Sequence, residues 1–123
     1  MVTQVTNFGR SGLSDWIIQR VSAVILAAYT IFLAGWIICQ SDLSYQQWSE
    51  LFSCTGMRIF SLLALLSLVS HAWIGIWTIA TDYLTEMALG KCATKVRFLF
   101  LCASALVLFV YLVWGVEILW GVN

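Results

Sequence analysis

Residues 59–80 read IFSLLALLSLVSHAWIGIWTIA, an apolar stretch without a single Lys, Arg, Asp or Glu. Roughly 20 such residues, each rising about 1.5 Å, are enough to carry an α-helix across the hydrocarbon core of a bilayer. His71, the only histidine of the chain, lies near the centre of this stretch. An ionisable side chain is costly to bury at that depth, so it marks a functional site by default. The stretch therefore predicts a membrane-spanning helix and also the place where chemistry occurs.

Two further stretches, Val21–Cys39 and Phe98–Val116, are equally apolar and free of charged residues. The chain has 123 residues, of which 62% are hydrophobic and only 10% are charged. A soluble domain could not cover its surface with so few polar groups. We therefore predict an all-α integral membrane protein with three transmembrane helices, forming one anchor domain over residues 1–123. A formal net charge of zero does not suggest a nucleic-acid partner.

The basic residues are distributed unevenly around the three spans. Five of the six lie in the N-terminal tail or between the second and third spans: Arg10, Arg20, Lys91, Lys95 and Arg97. Only Arg58 lies between the first and second spans. The positive-inside rule then places the N-terminus in the cytoplasm and the C-terminus in the periplasm. The run after Arg20 is too long for a signal peptide, so we expect it to remain as an anchor.

Local signals also predict where helices begin. Ser14 can cap the first helix, with Asp15 favouring its positive end. Ser44 and Gln47 fit a capping box at the start of a second, short helix. One face of that helix is apolar, so we expect it to lie on the outer membrane surface; this face carries Tyr45, Trp48, Leu51 and Phe52.

The chain contains no proline and four cysteines. Broken helices of transporters are usually marked by Gly or Pro, so the missing proline favours plain helices over a channel or carrier. Three helices are few for a closed bundle, and we expect a second membrane subunit to complete any ligand site. The cysteine spacings fit neither a zinc site nor covalent c-type haem attachment. Cys39 and Cys54 fall on the same predicted side, which leaves a disulfide between them open.

The residues that share the helix face of His71 are Ala64, Ser67, Leu68, Ile74, Gly75 and Thr78, and most of them are small. Small residues allow another helix, or a flat cofactor, to approach the backbone closely. One interpretation is ordinary helix packing, with His71 hydrogen-bonded to a nearby serine or carbonyl. The other is a haem b plane over Gly75 with His71 as an axial ligand of the iron. The second axial ligand would then come from a partner chain.

Three further residues at the inner ends of the spans have two interpretations each. Tyr83 and Asp82 are typical of the membrane–water interface, but a phenol beside a carboxylate could also bind a quinone and relay protons. Arg20 is a common kind of positive-inside anchor, and its guanidinium would equally suit a haem propionate. The residues alone leave these alternatives open.

The segment 70–77, SHAWIGIW, is followed by Thr81-Asp82-Tyr83, so that ten residues separate His71 from an Asp-Tyr pair. This pattern resembles the hydrophobic membrane anchor, or D chain, of proteobacterial succinate dehydrogenase, which is respiratory complex II. The similarity extends over nearly the whole chain and is weaker in the outer loop and beyond Trp114. It includes GRSG at 9–12, Asp15-Trp16, Arg20 and LLAL at 62–65.

The resemblance implies a four-subunit enzyme of the bacterial inner membrane that links the tricarboxylic acid cycle to electron transport. A flavoprotein subunit with FAD would oxidise succinate, and an iron–sulfur subunit would carry electrons to the membrane. This chain and a second anchor, the cytochrome b subunit, would hold haem b and form the ubiquinone site. Carried over by residue, His71 ligates the haem iron, Tyr83 binds ubiquinone, Asp82 supports that site and Arg20 lies near the propionates.

Two rival functions remain at this point. The chain could anchor a fumarate reductase, which runs the same chemistry in reverse with a menaquinone. It could also be a non-redox scaffold or assembly subunit in which His71 only makes a packing hydrogen bond. Neither alternative gives this chain a dicarboxylate or flavin active site of its own.

Overall fold

The computed structural model describes residues 12–121, and nearly all of them are helical. The helices in chain order are α1 (Gly12–Cys39), α2 (Tyr45–Ser53), α3 (Thr55–Tyr83), α4 (Glu86–Leu89) and α5 (Ala93–Trp120), with a 3₁₀ turn over Gly90–Cys92. Within this part of the chain there is no β-strand. Three helices are long and apolar enough to cross a membrane, which confirms the predicted fold class.

α3 is the central helix, because α1 and α5 both pack on it rather than mainly on each other. Among the described residues, α1 and α5 bury only one side chain each, Ser22 and Ala93. Most buried residues belong to α3, and most of these are small. They are Met57, Ser61, Ala64, Ser67, Ile74 and Ala80. Most other apolar side chains point outward, so lipid or partner subunits must cover them.

α3 and α5 approach each other closely at Gly115. A Cβ added there would lie 2.6 Å from the Cδ2 atom of Leu65. The leucine side chain therefore rests directly on the backbone of α5. This is the use of small residues by which membrane helices pack closely without a hydrophobic driving force between them.

The α1–α3 contact is aromatic in the half nearer the C-terminus of α1. The Phe60 ring meets the rings of Tyr29 and Phe32 edge-on, with centroid distances of 5.0 and 5.9 Å. Beside this cluster, the Tyr29 hydroxyl and the Ser61 hydroxyl share a hydrogen bond of 2.8 Å. Aromatic packing and one polar contact thus join the two helices at this end.

The predicted capping box of α2 is confirmed. The Ser44 hydroxyl accepts a hydrogen bond from the backbone N–H of Gln47, at 3.2 Å. In return, the Gln47 side-chain oxygen accepts from the backbone N–H of Ser44, at 3.0 Å. Both donors would otherwise lack partners at a helix start.

α2 is held to the long helices by aromatic and backbone contacts. The Trp48 ring lies 6.2 Å from the Trp36 ring of α1 and 4.8 Å from the Phe52 ring, measured between centroids. At the other end, the Arg58 Nε of α3 donates a hydrogen bond to the Phe52 carbonyl, at 3.1 Å. A cation at this position satisfies a carbonyl that the helix end leaves free.

The structure corrects one expectation about local features and answers another. Ser14 is not the residue that caps α1, because the helix already includes Gly12 and Leu13. Asp15 does lie in the first described turn, as expected. Cys39 and Cys54 are both free thiols, so the disulfide that the spacing left open is not formed. Arg10, the first three residues of the 9–12 motif and residues 122–123 lie outside the described part of the chain.

A short connection follows the C-terminal end of α3. The Thr85 hydroxyl caps α4 by accepting from the backbone N–H of Ala88, at 3.4 Å. Gly90 then turns the chain with a φ of 68°, the one positive φ among the described residues. Glycine adopts this conformation without the steric cost that a side chain would add.

Candidate functional site

His71 of α3 contacts Ser22 of α1. The His71 Nδ1 atom and the Ser22 hydroxyl oxygen are 3.1 Å apart. The two residues lie at the same height, because Ser22 is ten positions after the start of α1 and His71 is twelve positions before the end of α3. Ser22 is 4% exposed, so the contact excludes water from this side of the ring.

The Ser22 hydroxyl makes a second hydrogen bond within α1. It donates to the backbone carbonyl of Gln19, at 3.1 Å. A serine hydroxyl has one proton, so both contacts can be hydrogen bonds at once only if Ser22 accepts from Nδ1–H of His71. In that tautomer the other ring nitrogen, Nε2, carries a free lone pair. The hydrogen bond to a neighbouring serine therefore leaves His71 able to bind a metal ion.

The helix face around His71 is only partly filled by this chain. Ala64, Ser67 and Ile74 are buried, whereas Thr78 is exposed. Gly75 is half-buried, and a Cβ added to it would meet no atom within 4 Å. The backbone at Gly75 is thus open to a neighbouring helix or a flat ligand, as the sequence suggested.

Residues 12–121 contain no group of three His, Cys, Asp or Glu side chains that could hold a metal ion. An ion bound to His71 would therefore take its remaining ligands from a cofactor or from another chain. Haem provides such a set, because its macrocycle supplies the equatorial nitrogens and the protein supplies only axial ligands. The donor chemistry on this chain fits haem better than a protein-only metal site.

Asp82 and Tyr83 lie at the end of the same unbroken helix. Asp82 is eleven positions after His71, which at about 100° per residue places the two within about 20° of each other around the axis. Tyr83 lies about 120° from His71 around the axis and about 18 Å along it. Its side chain is 71% exposed. It makes no side-chain hydrogen bond or ring contact within the described part of the chain. Asp82, rather than Tyr83, shares the His71 face.

Arg20 lies near the height of His71 but on another face of α1. It precedes Ser22 by two residues, which is about 3 Å along the axis and about 200° around it. Its guanidinium carbon lies 5.4 Å from the centre of the Trp16 ring, a cation–π contact. The structure therefore brings Ser22, and not Arg20, against His71.

A groove of about 280 Å³ runs beside the α1–α3 crossing. Apolar side chains of both helices line it, together with the hydroxyl-bearing residues Ser22, Ser67 and Ser70. His71 is not among its lining residues. The groove is consequently separate from the open backbone at Gly75.

Sequence reasoning did not single out Ser22 or Gln19. The signal for Ser22 was its spacing of seven from Tyr29, which places both polar groups on one face of α1. The Gln19 side-chain oxygen is buried and has no hydrogen-bond partner within residues 12–121. Buried acceptors are normally satisfied, so a donor from outside the described residues is expected there.

Comparison with known proteins decides the family. Residues 3–113 match the model of the succinate dehydrogenase/fumarate reductase transmembrane subunit. The chain belongs to this family. It is 36% identical over 116 residues to the succinate dehydrogenase hydrophobic membrane anchor subunit of Coxiella burnetii, covering 94% of this chain and 95% of that protein. The resemblance inferred from the His71 to Tyr83 pattern is confirmed.

Family membership and the three apolar helices together make this anchor subunit a multi-pass protein of the bacterial inner membrane. It is one subunit of an oxidoreductase complex and therefore works with partner subunits. Much of the apolar surface of α1 and α5 is exposed in the isolated chain, and partner subunits would cover part of it.

Proposed function

We propose that this anchor subunit helps to bind haem b and ubiquinone in a succinate:ubiquinone oxidoreductase. It would pass electrons from an iron–sulfur subunit to the quinone. The observation that carries the proposal is the His71 ring, whose Nδ1 is held by a buried serine while Nε2 keeps a free lone pair. Proteins commonly hold metal-binding histidines in this way.

Haem b fits the residues around His71. His71 would provide one axial ligand through Nε2, and the open backbone at Gly75 would allow the macrocycle to approach. A histidine of the second anchor, the cytochrome b subunit, would provide the other axial ligand. When bound, the haem supplies a one-electron carrier within the membrane.

The quinone site is proposed at the inner end of α3. The Tyr83 hydroxyl is exposed and would donate a hydrogen bond to a ubiquinone carbonyl. Asp82 is also exposed and adjacent, where it could support proton transfer to the reduced quinone. Iron–sulfur and flavoprotein subunits, the latter with FAD, would approach from this cytoplasmic side.

Arg20 is proposed to interact with the haem propionates. Its height near that of His71 and its exposed guanidinium support this role. Arg20 contacts Trp16 on a different face of α1 from Ser22. Reaching a propionate from that face would require a side chain as long as that of arginine.

Changing His71 to Ala tests the proposal in the purified complex. The substitution removes one axial ligand, so the haem spectrum should leave the six-coordinate low-spin form or disappear. Ser61→Ala is the control, because it removes a buried side chain of the same α1–α3 interface. A parental spectrum with full haem content in His71→Ala would contradict the haem assignment. It would favour a scaffold role for this anchor.

The proposed orientation has its own test. A reporter active only in the periplasm should be active when fused after Asn123 and silent when inserted at Gly90. The reason is that five of the six basic residues lie on the N-terminal side of the membrane in this topology. The reverse pattern would place Tyr83 on the wrong side for a cytoplasmic iron–sulfur partner.

A further inference from the structure

Within residues 12–121, Ser22 is the one side chain that forms a hydrogen bond with His71, and this pairing suggests a role beyond packing. We propose that Ser22 is a positioning residue for His71: its hydroxyl accepts the Nδ1 proton and so keeps Nε2 unprotonated and free to bind iron. The inference rests on the proposed haem function. It adds the α1 residue that prepares the ligand.

The first step of the argument is the orientation of the hydroxyl. Ser22 donates its proton to the Gln19 carbonyl of its own helix, which directs the oxygen lone pairs away from that carbonyl. The Ser22 side chain is nearly fully buried, so water cannot easily replace this arrangement. A fixed acceptor on α1 therefore faces the imidazole of α3.

The second step is the effect on the imidazole. A histidine without an acceptor at Nδ1 can place its single neutral proton on either ring nitrogen. With Ser22 as acceptor, the proton stays on Nδ1, and the ring is also held against rotation. A metal-binding histidine that donates its other N–H in this way becomes a more basic ligand.

The third step is the consequence for the iron. A more basic axial ligand stabilises ferric over ferrous haem and therefore lowers the reduction potential. Ser22 would tune the haem as well as orient its ligand. This predicts a change in potential that loss of helix packing alone would not produce.

The chain offers a closely matched control. Ser61 is also nearly buried, with 6% exposure against 4% for Ser22. It also joins α1 to α3 through a side-chain hydrogen bond, in this case to Tyr29. Ser61 lies ten residues from His71, about 15 Å along α3. Ser61→Ala therefore reproduces the structural loss without touching the ligand.

The experiment is a redox titration of the haem in the purified complex, with haem content measured alongside. Ser22→Ala should shift the ferric-to-ferrous ratio at the parental midpoint about threefold to tenfold toward ferrous, which is a rise of about 30–60 mV at 59 mV per tenfold step. Ser22→Thr, which keeps the hydroxyl, should remain near the parental potential. Ser61→Ala should also remain there.

Ser22→Val provides a second comparison, because Val and Thr have nearly the same shape and differ in the hydroxyl. If Ser22→Ala fails to assemble, a higher potential in Ser22→Val than in Ser22→Thr supports the proposal. Equal potentials in these two variants overturn it, as does a Ser22→Ala potential equal to that of Ser61→Ala.

The His71→Ala variant separates this inference from the proposed function. Loss of the low-spin haem in His71→Ala, with unchanged potentials in all Ser22 variants, overturns the role of Ser22 and leaves the haem assignment standing. An unaltered haem in His71→Ala overturns both.

Discussion

Two of the polar contacts between α1 and α3 differ in what they leave unused. On the side that we propose to be periplasmic, the outer contact joins the hydroxyls of Tyr29 and Ser61 at 2.8 Å beside a cluster of aromatic rings. On the proposed cytoplasmic side, the inner contact joins Ser22 to His71 at 3.1 Å, beside the open backbone at Gly75. Both serines are buried and both contacts connect the same helices.

The difference between the two contacts is chemical. A hydroxyl pair is adequately satisfied by one short bond, and membrane helices commonly use such bonds for association. An imidazole has two nitrogens on opposite edges of its ring, so one bond leaves the second nitrogen available. The outer contact can therefore be explained by packing alone. The inner contact leaves one ring nitrogen of His71 free to bind a group from outside this chain.

The largest effect is expected from filling the open space at the inner contact. Gly75→Leu places a side chain where a Cβ now meets no atom of the chain. If the macrocycle approaches there, haem affinity should fall about 10–100-fold, a loss comparable to removing a supporting residue of a metal ligand. Haem content of the purified complex measures this.

Gly35 of α1 is the control for that substitution, because a Cβ there also meets no atom within 4 Å. Gly35→Leu should keep its haem. Equal haem content in both leucine variants would mean that the inner contact has no special open face and that the comparison fails.

The next effect concerns the proposed quinone site at the C-terminal end of α3. Tyr83→Phe removes one hydroxyl, and ubiquinone reduction should slow between several-fold and about a hundredfold if charge develops on the bonded oxygen. Succinate oxidation with an artificial dye that bypasses the membrane site should stay near the parental rate, and haem content should not change.

Tyr45→Phe tests whether the effect is specific to this end of the molecule. Tyr45 is 79% exposed and belongs to α2, which follows α1 on the proposed periplasmic side. It should reduce ubiquinone at the parental rate. If Tyr83→Phe does so too, Tyr83 is an interfacial tyrosine only, and the quinone site must be built from other chains.

The smallest effect is expected at the outer contact itself. A double-mutant cycle of Tyr29→Phe and Ser61→Ala should give a coupling energy of about 0.6 kcal/mol and no more than about 1.7 kcal/mol, the range for hydrogen bonds between membrane helices. Denaturation of the complex followed in detergent measures it. A change in haem spectrum in either variant would contradict the view that this contact only packs.

The positions of the spanning helices follow from the sequence by itself. Charge-free stretches such as 59–80 are readable because bilayer thickness sets a required length, and no partner is needed to impose it. The Ser44 capping box was equally predictable, since its donors and acceptors lie within three residues. The start of α1 was wrongly placed at Ser14. A serine favours the capping position of a helix, but several neighbouring residues can occupy that position.

His71 was identifiable as a candidate site from its type and depth, and its motif pointed to the family that comparison confirmed. The residue that holds it was not identifiable. Ser22 and His71 are 49 positions apart, and their meeting depends on the register in which α1 packs against α3. That register results from the combined packing of small and aromatic side chains along two helices. The ring tautomer depends in turn on this contact, so the tertiary structure alone decided which nitrogen of the histidine is free.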